Sequence, residues 1–289
     1  MKKPLFTGVC TALVTPFLNG RINYDVLDKL LDRQLDARIP AIVIAGTTGE
    51  AATLTDEEKI QLFRYCKEYV KNRCLIIAGT GSNHTEHSIQ LSVAAEKAGV
   101  DALLAVSPYY NKATPEGLVM HYLSICRAVS IPVIIYNVPS RTGLDIPVSV
   151  YKRLSEIPNI AGVKEASSDI TKIARIRNAC QDDLPIWSGN DDQIVPVISL
   201  GGQGIISVLS NLKPQETIDI CQAAQQEDYM KAAQLQCRYL ELIDALFCEV
   251  NPIPVKAAMK MIGYDCGDYR LPLCEPTLET IRRLQKCLQ

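Results

Sequence analysis

The chain has 289 residues, 47% of them hydrophobic, and a formal net charge of −2. That length holds a sizeable core in one large or two ordinary domains, and the near-neutral charge excludes nucleic acid or an anionic membrane as an electrostatic partner. Eleven cysteines are scattered, odd in number and without C-x-x-C spacing; they read as reduced, buried small hydrophobes of a cytoplasmic protein, with neither disulfides nor a zinc site.

At the start, Lys2 and Lys3 precede an apolar run. Pro4, Thr7, Gly8 and Thr11 interrupt it and no small-residue cleavage site follows, so a first strand fits better than a signal peptide. No apolar stretch approaches the length of a membrane span. Eight short runs rich in Val, Ile, Leu and Ala follow at 8–14, 41–45, 74–78, 101–106, 132–136, 160–164, 184–188 and 203–207. They do not alternate with polar residues, which suits parallel strands buried on both faces. Between them lie segments of helical period at 24–37, 55–72, 84–98, 115–129, 147–156, 169–180, 190–199 and 214–226. Thr55-Asp56-Glu57-Glu58 is a capping box, and Thr114-Pro115 places proline at a first helical position. The alternation predicts an α/β fold of TIM-barrel type, a (β/α)8 catalytic barrel over 1–226. A doubly wound open sheet is the alternative, but no dinucleotide fingerprint supports it. From 227 to 289 no buried strand is expected. Helices over 227–248, 253–262 and 276–288, punctuated by Asn251-Pro252-Ile253-Pro254, predict a C-terminal helical extension.

In such a barrel the chemistry sits where strands end. Polar residues after the runs are Thr47, Thr48 and Glu50; Tyr109 and Tyr110; Tyr136 with Arg141; Lys164; Gly189 to Asp191; and Ile206-Ser207. A lysine closing the run IAGVK points into the mouth, where desolvation disfavours the ammonium and leaves a nucleophilic amine. The competing reading is a lysine that ends a strand and reaches solvent. Tyr136 and Tyr110 could relay protons with the hydroxyl of Thr47, or simply pack as amphipathic strand-end residues. Arg141 offers a fork for a carboxylate, or is a surface loop arginine. Lys112 reads as solvated, and Gly201-Gly202-Gln203-Gly204 as a tight turn, since it precedes the eighth run. His84 and His87 lack a third ligand and read as a solvated face.

At these residues the chain resembles the dihydrodipicolinate synthase family. The likeness runs from Gly8 to about Leu273 and rests on GTTGEAATL (46–54), AGTGSN (78–83), PYYNKATPEGL (108–118), YNVPSRTG (136–143), GVKEAS (162–167), SGND (188–191), NPIPVK (251–256) and RLPL (270–273). GTTGE and the lysine are shared across a wider superfamily of N-acetylneuraminate lyase and sugar-acid aldolases, while YNVPSRTG favours the synthase branch. The resemblance implies a lyase of lysine biosynthesis that condenses pyruvate with L-aspartate-4-semialdehyde. In it Lys164 forms a Schiff base, Tyr136 is the general acid/base, and Thr47 and Tyr110 complete a proton relay. Thr48 holds the pyruvate carboxylate, Arg141 the semialdehyde carboxylate, and the carbonyls of Gly189 and Ile206 orient the site. It implies no metal or organic cofactor, and a homotetramer of tight dimers in which Tyr110 reaches a neighbour's site. An effector pocket for lysine would involve Ala52, Asp56, Lys59, Asn83, His87 and Tyr109. Inhibited members carry histidine where Lys59 stands and glutamate where His87 stands, so weak or absent feedback is expected, with Glu86 as a possible substitute one residue away. Two rivals stand beside this reading: another pyruvate aldolase of the superfamily, and a non-catalytic barrel that binds a keto acid.

Overall fold

A computed structural model describes residues 2–289. Eight strands form one closed, wholly parallel barrel: β1 (Gly8–Ala12), β2 (Ala41–Ile44), β3 (Leu75–Gly79), β4 (Ala102–Val106), β5 (Val133–Asn137), β6 (Ile160–Glu165), β7 (Ile186–Ser188) and β8 (Gly204–Ser207). All eight lie on the predicted runs, with ends displaced by up to two residues. β1 pairs with β2 on one side and β8 on the other, which closes the ring. Alternate side chains explain the absence of polar alternation. Cys10, Ala12, Val43, Ile77, Leu104, Ile134 and Ile206 fill the barrel, while Val9, Ile42, Ile76, Leu103, Ile135, Val163 and Ile205 pack outward under the helices. Both faces are buried, so both are apolar.

The outer ring comprises α1 (Tyr24–Asp36), α2 (Asp56–Val70), α3 (Thr85–Lys97), α4 (Pro115–Ala128), the one-turn α5 (Pro139–Thr142), α6 (Val148–Ser155), α7 (Ile170–Cys180), α8 (Ile194–Ser199) and α9 (Pro214–Gln225). The Thr55–Glu58 capping box forms as expected, and Thr114 caps α4 with Pro115 in its first turn. The stretch expected as a helix from 190 opens instead as a 3-10 turn over Asp191–Gln193, and the α-helix starts only at Ile194. Pro196 has no N–H to donate to the Asp192 carbonyl, which accepts from the Gln236 side chain instead.

The bottom of the barrel is sealed. Trp187 stacks on Phe6 with centroids 4.7 Å apart, and its indole N–H donates to the Phe6 carbonyl at 3.2 Å. Gly204 begins β8 rather than ending a turn. A Cβ there would sit 1.9 Å from the Gly8 carbonyl oxygen, so the last strand closes on the first only through a residue without a side chain.

Beyond the barrel lie α10 (Tyr229–Arg238), α11 (Leu240–Leu246), α12 (Ile253–Met261) and α13 (Leu278–Leu288). The single helix expected over 227–248 is broken at Tyr239, which lies at φ −99°, ψ 3°. α10 packs on α9 whereas α11 packs on α13, and one straight rod cannot serve both. A short hairpin, Phe17–Leu18 with Arg21–Ile22, was not foreseen; Phe17 also bridges to Gly267 of the extension. Seven cysteines are buried, and burial raises the Cys74 thiol to about 11 and Cys126 to about 12. Cys237, Cys248 and Cys274 are exposed, so the buried small-hydrophobe reading fails for these three, while the half-exposed Cys287 packs against the core. No helix among the described residues is long and apolar enough to cross a membrane.

Candidate active site

Lys164 and Tyr136 are register partners on β6 and β5. Both point into the top of the barrel, 5% and 7% exposed, and the lysine Nζ stands 4.4 Å from the centre of the tyrosine ring. The period-two alternation of β6 explains how the neighbouring residue is used: if Lys164 faces in, Glu165 must face out. Glu165 is buried there and accepts from Asn137 Nδ2 and the Tyr151 hydroxyl, each at 2.8 Å, and from the Ser167 N–H at 2.9 Å. These bonds fix the strand that carries the lysine. Gly189 lies alongside, where a Cβ would come 3.1 Å from Lys164 Cε and 2.6 Å from the Ala166 Cβ; its lack of a side chain leaves the lysine its channel.

Above them opens a cleft of about 590 Å³ lined by Thr47, Tyr136, Val138, Arg141, Leu104 and Asn251, among others. Thr47 lies in the loop after β2. The buried Glu50 in that loop takes a left-handed backbone at φ 56° and pairs with Lys256 Nζ at 2.8 Å. Thr48 is 2% exposed, and its Oγ1 accepts from Asn251 Nδ2 at 3.0 Å. Arg141 sits on the unforeseen one-turn α5 and donates to the Asn251 carbonyl at 3.2 Å. Ile206 is fully buried inside the barrel at the end of β8. Asp191 is buried and accepts from Ser207 and from the N–H groups of Val208 and Leu209; burial raises its pKa against the pull of those donors.

Tyr110 is the predicted relay member that the chain does not bring to this cleft. It is 89% exposed on its loop, with φ 70°. Lys112 is exposed, as expected. Of the expected effector residues, Ala52, Asp56, Lys59, His87 and Tyr109 line the same cleft as Thr47 and Tyr136, while Asn83 is not among the lining residues. His87 Nε2 lies 2.7 Å from Asp56 Oδ2, and Lys59 Nζ 3.5 Å from Asp56 Oδ1. Burial works against the Asp56 carboxylate, but His87 and Lys59 together hold its pKa below the usual value. Glu86 is exposed and bonded to Gln90, so it is His87 that faces the cleft. Among the described residues, no three or more His, Cys, Asp or Glu side chains are grouped to hold a metal.

Asn251, Glu165 and the Glu50–Lys256 pair were not given roles from sequence. NPIPVK and GVKEAS marked their neighbourhoods, but nothing local says that an asparagine at 251 meets a threonine 203 residues away.

Fold and mouth together are those of a Schiff-base lyase on a (β/α)8 barrel. The chain belongs to the Dihydrodipicolinate synthetase family, whose model matches residues 5–289. It is 49% identical over 286 residues to the 4-hydroxy-tetrahydrodipicolinate synthase of Caldicellulosiruptor saccharolyticus, covering 99% of this chain and 97% of that one. Among solved structures, it matches the chloride-inhibited dihydrodipicolinate synthase of Acinetobacter baumannii complexed with pyruvate, with a TM-score of 0.96, 39% identity and 98% of each chain covered. A lysine-bound enzyme from Cyanidioschyzon merolae matches with the same TM-score and identity, covering 99% of this chain and 98% of that one.

Proposed function

We propose that this chain condenses pyruvate with L-aspartate-4-semialdehyde through an imine on Lys164. The observation that carries the proposal is the buried lysine amine lying against the Tyr136 ring at the head of the barrel. The amine adds to the ketone carbon of pyruvate. Tyr136 protonates the departing hydroxyl, water leaves, and an iminium remains. That iminium is the electron sink, so no metal or organic cofactor is required for the next step. Loss of a methyl proton gives an enamine, whose carbon attacks the semialdehyde aldehyde while the new alkoxide takes a proton. The substrate's own amino group then adds to the imine carbon and expels Lys164, closing the ring.

Thr48 holds the pyruvate carboxylate, Arg141 the carboxylate of the second substrate, and the carbonyls of Gly189 and Ile206 orient the reacting groups. Thr47 passes protons between Tyr136 and Tyr110 of a second copy, which gives the exposed tyrosine a use. The working form is a homotetramer of tight dimers in the cytoplasm.

Incubation with pyruvate and borohydride is expected to add one reduced pyruvate unit at Lys164, located by peptide mapping. A coupled assay should show turnover with aspartate semialdehyde and not with sugar-acid aldols. No adduct, or an adduct at Lys112, sinks the mechanism; preference for a sugar acid reassigns the substrate.

A further inference from the structure

We infer that Asn251 is a positioning residue for the pyruvate carboxylate and acts through Thr48. The inference rests on the reading of Thr48 given above. Asn251 comes from the C-terminal segment, lines the cleft and is 5% exposed. Its Nδ2 donates to Thr48 Oγ1 at 3.0 Å, both groups buried. A threonine hydroxyl has one proton and two lone pairs. An N–H donor facing the oxygen occupies a lone pair and forbids the hydroxyl from pointing its own proton back. The proton must turn elsewhere, and a carboxylate held at Thr48 is the acceptor it meets. The amide thus sets the rotor before substrate arrives, so the orientation cost is met in the free enzyme.

The other end of the side chain supports this. Asparagines in turns ordinarily spend Oδ1 on a nearby backbone N–H. Asn251 Oδ1 is buried with no donor among the described residues, so the bond to Thr48 is the side chain's one attachment. The residue is therefore not held as a turn asparagine. Its backbone carbonyl separately accepts from Arg141, and side-chain substitutions leave that contact's atoms in place.

The test uses the whole enzyme, with pyruvate KM, kcat and melting temperature measured for Asn251→Ala, Asn251→Asp, Thr48→Val and the Thr48→Val/Asn251→Ala double variant. Asn251→Ala is expected to raise pyruvate KM about tenfold, equivalent to about 1.4 kcal/mol, with kcat changed less than about threefold. Asn251→Asp keeps the size but has no N–H to offer, and draws the Thr48 proton to itself; KM should rise at least as far. It also carries the comparison if the alanine variant fails to fold. In the Thr48→Val background Asn251→Ala should change KM less than about twofold, because the group it acts through is gone. Equal effects in both backgrounds, or loss of kcat with KM unmoved, overturn the inference and leave Thr48 as read. An unchanged KM in Thr48→Val alone overturns the reading of Thr48 itself.

Discussion

Tyr136 and Lys164 face each other as direct register partners on adjacent parallel strands, with the amine 4.4 Å from the ring centre. The pairing leaves the phenol at the cleft and the amine beneath the ring. Tyr136→Phe keeps the ring and removes the hydroxyl. It is expected to fold normally and lose roughly 10²- to 10⁴-fold in turnover, the range of a positioned acid or base. A rate within a few-fold of the parent would mean that Tyr136 only packs.

Tyr110 is 89% exposed in the single chain. If it serves a neighbour's site, Lys164→Ala and Tyr110→Phe should each be nearly inactive, while mixed dimers of the two regain activity, since one site then holds both groups. Mixed dimers shown by mass to form but staying dead would place the tyrosine outside the relay.

Feedback by lysine is expected to be weak or absent. The cleft around Asp56 already holds Lys59 and His87 against that carboxylate, and Glu86 faces away. An incoming diammonium ligand finds one occupied acid and an extra cation; losing even about 1.4 kcal/mol weakens binding tenfold. Initial rates at saturating substrate should be insensitive to lysine below about a millimolar. Half-inhibition below that concentration would contradict the assignment, and Lys59→His with His87→Glu is expected to introduce sensitivity.

Lys256 and Glu50 form an ion pair with side chains 1% and 0% exposed, with the lysine over the rings of Phe17 and Tyr269. Removing one partner of such a pair strands the other charge, at a cost of about 3–5 kcal/mol. Lys256→Met should lower stability by that order in urea titration, and adding Glu50→Gln should recover most of it. Additive losses in the double variant would show that the charges act independently.

His121 is buried, with Nδ1 3.0 Å from Thr85 Oγ1 and Nε2 without a hydrogen-bond partner among the described residues, and burial holds its pKa at about 4, below the usual 6.5. As pH falls through 6.5 the unfolded chain takes up the proton first, so stability present above that value is lost toward pH 4, by up to roughly 3 kcal/mol. Unfolding free energy measured across this window should fall less steeply in His121→Gln. An identical slope would assign the acid lability to other groups.

The sequence by itself determined what depends on local period and local chemistry. Eight apolar runs must be buried on both faces, and parallel strands wrapped by helices are how a chain of this length does that. Lys164 at the end of such a run has to face into or out of the barrel, and Glu165 takes whichever side it leaves. The caps at Thr55 and Thr114 are likewise local, satisfied within four residues. Only the tertiary structure decided which distant groups meet. Asn251 reaches Thr48 across 203 residues and Lys256 reaches Glu50 across 206; neither asparagine nor lysine carries a local mark of its partner. The break at Tyr239 is of the same kind, because α10 and α11 pack on different helices while the sequence shows only a continuous helical period. Tyr110 lies furthest from both, since its exposure within one chain is a fact about the fold and the use proposed for it would draw on a second copy. Burial and pairing across the barrel mouth are set by where β2, β5, β6 and the extension converge, and that convergence is a property of the closed ring rather than of any segment in it.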